Sequence, residues 1–220
     1  MSLSDVCGPV MIGPSSSHTL GALRIARFVH NLLGRTPEKV HFHLHASFAR
    51  TYRGHGTDRA LLGGIMGLNE DDPSVRDALT SAKANGLEFA FQPDDLGETH
   101  PNTVRIEAWF GSLYQDVWGA SIGAGMIRIT RINGVECLLS AMYPTLIIIN
   151  RDTPRALGKI LECIEINVAN LYLRRINKLM NTALTIAELD EPFSPIKLHH
   201  LASLDVVEEA HYVPSLAARP

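Results

Sequence analysis

Two short stretches of this chain gather the residue types that hold anions and move protons. The first, Gly13-Pro14-Ser15-Ser16-Ser17-His18-Thr19, runs into an apolar helical pattern over Leu20 to Leu33. A helix N-terminus leaves its first N–H groups unpaired and carries partial positive charge, so a carboxylate or phosphate is stabilised there. Three serine hydroxyls extend that cradle, and His18 adds a group that exchanges a proton near neutral pH. The plainer alternative is a serine that serves only as N-cap. The second stretch sets His55 between Gly54 and Gly56, where the backbone can turn tightly and approach a ligand, and offers Thr57 or Asp58 as cap for the run Ala60 to Leu68. Its plainer alternative is a loop histidine with a structural hydrogen bond. In a third stretch, His100-Pro101-Asn102-Thr103, the Asn102 amide can donate and accept at the entrance of a strand, although a turn built on Pro and Asn explains the same residues.

The elements that must carry these residues follow from periodicity. Leu20 to Leu33 is a mostly buried helix whose polar stripe is Arg24, Arg27 and Asn31, closed by Gly34. Lys39 to Phe48 alternates with period two, which predicts a strand with His41, His43 and His45 on one face. Gly63, Gly64 and Gly67 each weaken the following helix by about 1 kcal/mol, so a close neighbour or partner subunit is implied. A helix over Asp72 to Ala84, strands at Leu87 to Phe91 and Val104 to Phe110, and a hairpin closed by Asn133-Gly134 complete this part. From Ala141-Met142-Tyr143-Pro144 the order becomes strand, helix, strand, strand, helix, strand. That is the βαββαβ pattern of ferredoxin-like folds, which gives an α+β protein with domains over 1–142 and 143–220.

Composition excludes several function classes. With 220 residues, 45% hydrophobic and 20% charged, the chain can bury ordinary cores, and a net charge of -3 gives no electrostatic case for nucleic acid or an anionic membrane. No apolar run reaches the roughly 18 to 20 residues of a membrane span, and the expected location is the cytoplasm. His-x-His-x-His invites a zinc-type or metal-dependent hydrolase reading, but no carboxylate or fourth ligand stands nearby in the sequence, so no metal is assigned. Cys7, Cys137 and Cys163 lack the close spacing of a metal or redox motif and are expected to be free thiols.

The three stretches, in this order, resemble the β chain of the iron-sulfur-dependent bacterial L-serine dehydratases, and the last third resembles an ACT regulatory domain. The resemblance implies a lyase of amino-acid catabolism that needs no pyridoxal phosphate. A cluster iron acts as Lewis acid on the serine hydroxyl, a base removes the α-proton, and aminoacrylate becomes pyruvate and ammonia. It implies a 4Fe-4S cluster ligated by a separate α subunit, not by this chain. It makes His55 the expected base with His18 second, and Ser15, Ser16, Ser17, Thr19, Thr57, Asp58 and Asn102 the expected groups around L-serine. The N-terminal domain is expected to be similar to the allosteric substrate-binding domain of phosphoglycerate dehydrogenases, and association into homo-oligomers through the ACT-like part is expected. One departure stands out: ACT domains often carry a glycine in the turn after the first strand, where this chain has Arg155, which speaks against effector binding there. A stand-alone amino-acid-binding module without catalysis is the alternative.

Overall fold

The computed structural model describes residues 11–216. Cys7 lies outside them. The chain divides into two compact units, one running to Ser140 and the other starting at Ala141.

In the first unit a π-helical turn, Ser16–Leu20, leads without a break into helix α1, Gly21–Leu33. Leu23, Ile25, Phe28, Val29 and Leu32 are all buried, as the apolar pattern requires, and Gly34 closes the helix in the left-handed conformation. Arg24, read as part of the wet stripe, is instead buried: it donates to the Gly125 carbonyl at 2.8 Å and pairs with Glu70 at 2.8 Å. α1 lies on a six-stranded sheet made of β1 (Lys39–His45), β2 (Glu88–Asp94), β3 (Thr103–Phe110), β4 (Leu113–Gly123), β5 (Met126–Ile132) and β6 (Val135–Leu139). The order is β2-β1-β3-β4-β5-β6, with β1 and β2 parallel and the other pairs antiparallel. One close approach is at Gly119, where a Cβ would stand 2.4 Å from Ile25.

The parallel β1–β2 pair needs a crossover, and α2 (Ala46–Thr51), α3 (Thr57–Ile65), a 3-10 turn (Pro73–Asp77) and α4 (Ala78–Ala84) supply it. The close neighbour implied by the glycines is α1: a Cβ on Gly64 would lie 2.2 Å from the Leu23 carbonyl oxygen, and one on Gly67 would lie 2.7 Å from the His30 ring. The helix expected over Asp72 to Ala84 is a 3-10 turn followed by the short α4, and two strands also differ from the sequence reading. The strand expected to reach Phe48 stops at His45, because Ala46 takes φ +38° and the chain turns into α2. Strand β4 has no counterpart in the reading, since Gly119, Ala120, Ser121 and Gly123 erase the period-two signal.

The second unit is β7 (Thr145–Arg151), α5 (Ala156–Ile164), β8 (Val168–Asn177), β9 (Thr182–Leu189), α6 (Pro195–Ala202) and β10 (Val207–Val213). Its antiparallel sheet runs β10-β7-β9-β8, the ferredoxin-like arrangement, over a core that includes Leu146, Ile148, Ile160, Ile164, Leu189 and Leu201. Among the described residues no helix is long and apolar enough to cross a membrane.

Candidate active site

The first two sequence motifs meet in space. Ser15 caps the π-helical turn, its Oγ accepting the His18 backbone N–H at 3.0 Å, so one of the three hydroxyls is already engaged as the plain capping role predicts. Ser17 is half-buried and Ser16 exposed, at the point where the leading N–H groups of a helix have no intrahelical partner. The cap fixes His18. Its Nε2 lies 3.1 Å from Ser47 Oγ, and its Nδ1 makes a long 3.4 Å contact with Ser15 Oγ.

His55 reaches the same place from the entrance of α3. The His18 and His55 ring centroids are 4.9 Å apart with planes inclined by 33°, and Phe48 packs edge-on against His18 at 5.6 Å. Thr19 ties the two segments together by donating its hydroxyl to the His55 carbonyl at 3.1 Å. Gly56, which follows, takes φ +69°, a left-handed conformation that suits glycine and lets α3 begin at Thr57. His55 itself is exposed, whereas Thr57 and Asp58 are buried, Asp58 accepting the Arg59 N–H at 2.8 Å. Burial pushes the pKa of His18 below the ordinary histidine value, and the neighbouring His55 pushes it the same way. A neutral imidazole at neutral pH is the consequence.

Ser47 is the residue sequence reasoning missed. Period two ran through it as an ordinary strand residue, yet at the head of α2 it touches His18 and joins the Pro101 turn. Its N–H donates to the Pro101 carbonyl at 2.9 Å, and its own carbonyl accepts the Thr51 hydroxyl at 2.8 Å. The positive φ of Ala46 just before it was the hidden signal, since alanine adopts that conformation only where the surroundings impose it. Through Pro101 the third motif joins the other two. The Asn102 carbonyl accepts the Ser121 N–H at 3.0 Å, and Asn102 Oδ1, Thr57 Oγ1 and Ser121 Oγ are buried without a hydrogen-bond partner among the described residues. Ser121 stands against α1 where Gly21 has no side chain, 2.0 Å from the position a Cβ would take.

Comparison with known proteins fixes the family. The family model described as the serine dehydratase beta chain matches residues 4–131. The chain belongs to that family. It is 37% identical over 206 residues to the probable L-serine dehydratase beta chain of Bacillus subtilis, covering 92% of this chain and 93% of that one. It is 36% identical over 214 residues to the L-serine dehydratase beta chain of Peptoniphilus asaccharolyticus, covering 95% and 96%. L-serine dehydratase 2 of Escherichia coli is 34% identical over 142 residues, which are 53% of this chain but 31% of that longer protein. The motifs that form the His18–His55 pair all fall inside the matched residues 4–131.

A cluster-binding role for this chain does not fit its described cysteines. Cys137 is buried on β6 with its Sγ 3.7 Å from the Ile129 carbonyl oxygen. Cys163 belongs to the other unit, and burial together with Glu165 pushes its thiol pKa up, away from the thiolate a metal requires.

Proposed function

We propose that this chain is the β subunit of an L-serine dehydratase, acting in the cytoplasm with a separate α subunit that carries the iron-sulfur cluster. The observation that carries this reading is the pair of imidazoles 4.9 Å apart beside a helix N-terminus. Deamination of serine requires a cradle for the carboxylate and a base for the α-proton. The first-turn N–H groups and the hydroxyls of Ser16 and Ser17 serve as the cradle, with Ser15 holding the turn in shape. His55 takes the α-proton, because His18 has both ring nitrogens in contact with serine hydroxyls while the His55 ring has no hydrogen bond among the described residues. His18 stays neutral beside it, so the proton gained by His55 meets no second positive charge. Thr19 holds the His55 segment through its hydroxyl, the Thr57 backbone N–H holds the start of α3 on the Tyr52 carbonyl at 2.8 Å, and Asp58 steadies the same turn. The unpartnered Asn102 Oδ1 accepts from the substrate ammonium. With the α-proton and hydroxide lost as water, aminoacrylate tautomerises to an imine that water hydrolyses to pyruvate and ammonia.

The second unit serves association in this reading. Its edge strand β8 exposes Leu171, Leu173 and Ile176, which suits pairing with a second copy, as expected of an ACT-like domain. The test is anaerobic reconstitution with the cognate α subunit, assaying pyruvate from L-serine. Activity should require both chains. Full activity from the α subunit alone, with L-serine strongly raising the melting temperature of this chain by itself, would overturn the reading in favour of an amino-acid-binding module.

A further inference from the structure

We propose that the outer face of the first sheet carries a divalent transition-metal site of the zinc class, formed by His41, His43 and Glu107. A ligand atom from each of these three residues lies within 4.8 Å of the other two. His41 and His43 alternate on β1, so both point away from the core, and Glu107 on β3 is paired directly with His41 in the antiparallel register. The carboxylate that the sequence lacked near its histidines therefore arrives across the strand pairing.

The surroundings already orient this set as metal sites require. His43 Nδ1 faces Asp94 Oδ2 at 3.2 Å and its Nε2 faces Glu107 Oε2 at 2.8 Å, so an ion bound at Nε2 would leave the ring proton on Nδ1, donated to Asp94. Glu107 has its other oxygen occupied: Oε1 accepts from Arg105 at 2.9 Å and from the Tyr114 hydroxyl at 2.7 Å, leaving Oε2 for the ion. Arg105 is itself held by Asp116 at 2.9 Å. His41 packs edge-on against Trp109 at 5.1 Å, with its ring only half-buried. An ion would take the place of the contact between His43 Nε2 and Glu107, gaining two imidazoles and one carboxylate, with a fourth position left to water. His45 takes no part, because its Nδ1 accepts the Leu96 N–H at 3.2 Å.

Calorimetric titration of the chelator-treated full chain with Zn²⁺, and with Co²⁺ followed by its visible absorption, tests this. The expected result is one equivalent bound, with the visible bands of a four-coordinate nitrogen and oxygen site. His41→Ala, on the half-buried ring, should lower Zn²⁺ affinity at least about tenfold, and Asp94→Asn about 10- to 100-fold, while His45→Ala leaves it unchanged. Absence of Zn²⁺ binding, or binding that all three variants leave untouched, overturns the site and makes His43 an ion-paired structural histidine. Circular dichroism of each variant shows that the comparison is made on folded protein.

Discussion

Helix α3 in the first unit and helix α5 in the second begin with the same backbone conformation. Gly56 enters α3 at φ +69° and ψ +21°, and Arg155 enters α5 at φ +70° and ψ -1°. The left-handed region costs an L side chain of the order of 1 kcal/mol, so glycine is the economical choice at both places. In the first unit it follows the exposed His55, and a Cβ at Gly56 would meet nothing within 4 Å. In the second unit an arginine side chain fills the turn. The contrast is between a left-handed turn left bare beside His55 and the same turn filled by a long side chain.

The sharpest way to break this contrast is to move the arginine. Gly56→Arg places a long cation at the mouth of the His18–His55 pair, and kcat/KM for L-serine in the reconstituted enzyme should fall about 100-fold or more, as misplacement of a reacting group does. Removing the contact that positions His18 has a smaller effect. Ser47→Ala should lower kcat about fivefold, the value of one hydrogen bond of about 1 kcal/mol, with KM nearly unchanged. The reciprocal change in the second unit, Arg155→Gly, should relieve the turn and raise stability by up to about 1 kcal/mol in urea unfolding, without altering deamination. Smallest of all is the pH effect. The pKa of His18 is depressed in the fold, so its contribution to stability is present above the unfolded value of about 6.5 and is lost as pH falls through the folded value. Stability should therefore rise with pH through the weakly acid range, and more steeply in the parent than in His18→Gln. Burial of His30 pushes in the same direction, so the variant flattens this slope without removing it.

Much of this architecture is legible in the sequence where a single signal decides it. The apolar run of α1 with Gly34 behind it, the Asn133-Gly134 hairpin and the βαββαβ order of the second unit each rest on local periodicity or turn chemistry. What the sequence hides is decided by distant partners. β4 is strand because β3 and β5 pair with it, not because its Gly-rich segment prefers that state. Ser47 reaches His18 from 29 residues away, and Glu107 reaches His43 from 64. Arg24 reads as a surface cation until Glu70 and the Gly125 carbonyl come to meet it.

The central claim is that the exposed ring of His55 removes the α-proton while His18 stays neutral. Chemical rescue tests it most directly, by measuring pyruvate formation from L-serine in the reconstituted enzyme carrying His55→Ala, with and without added imidazole. The account predicts a loss of about 10²- to 10⁴-fold that imidazole partly restores in the parent pH range, with no such rescue of Ser47→Ala. Undiminished activity of His55→Ala, or a loss that imidazole restores only in His18→Ala, would contradict it.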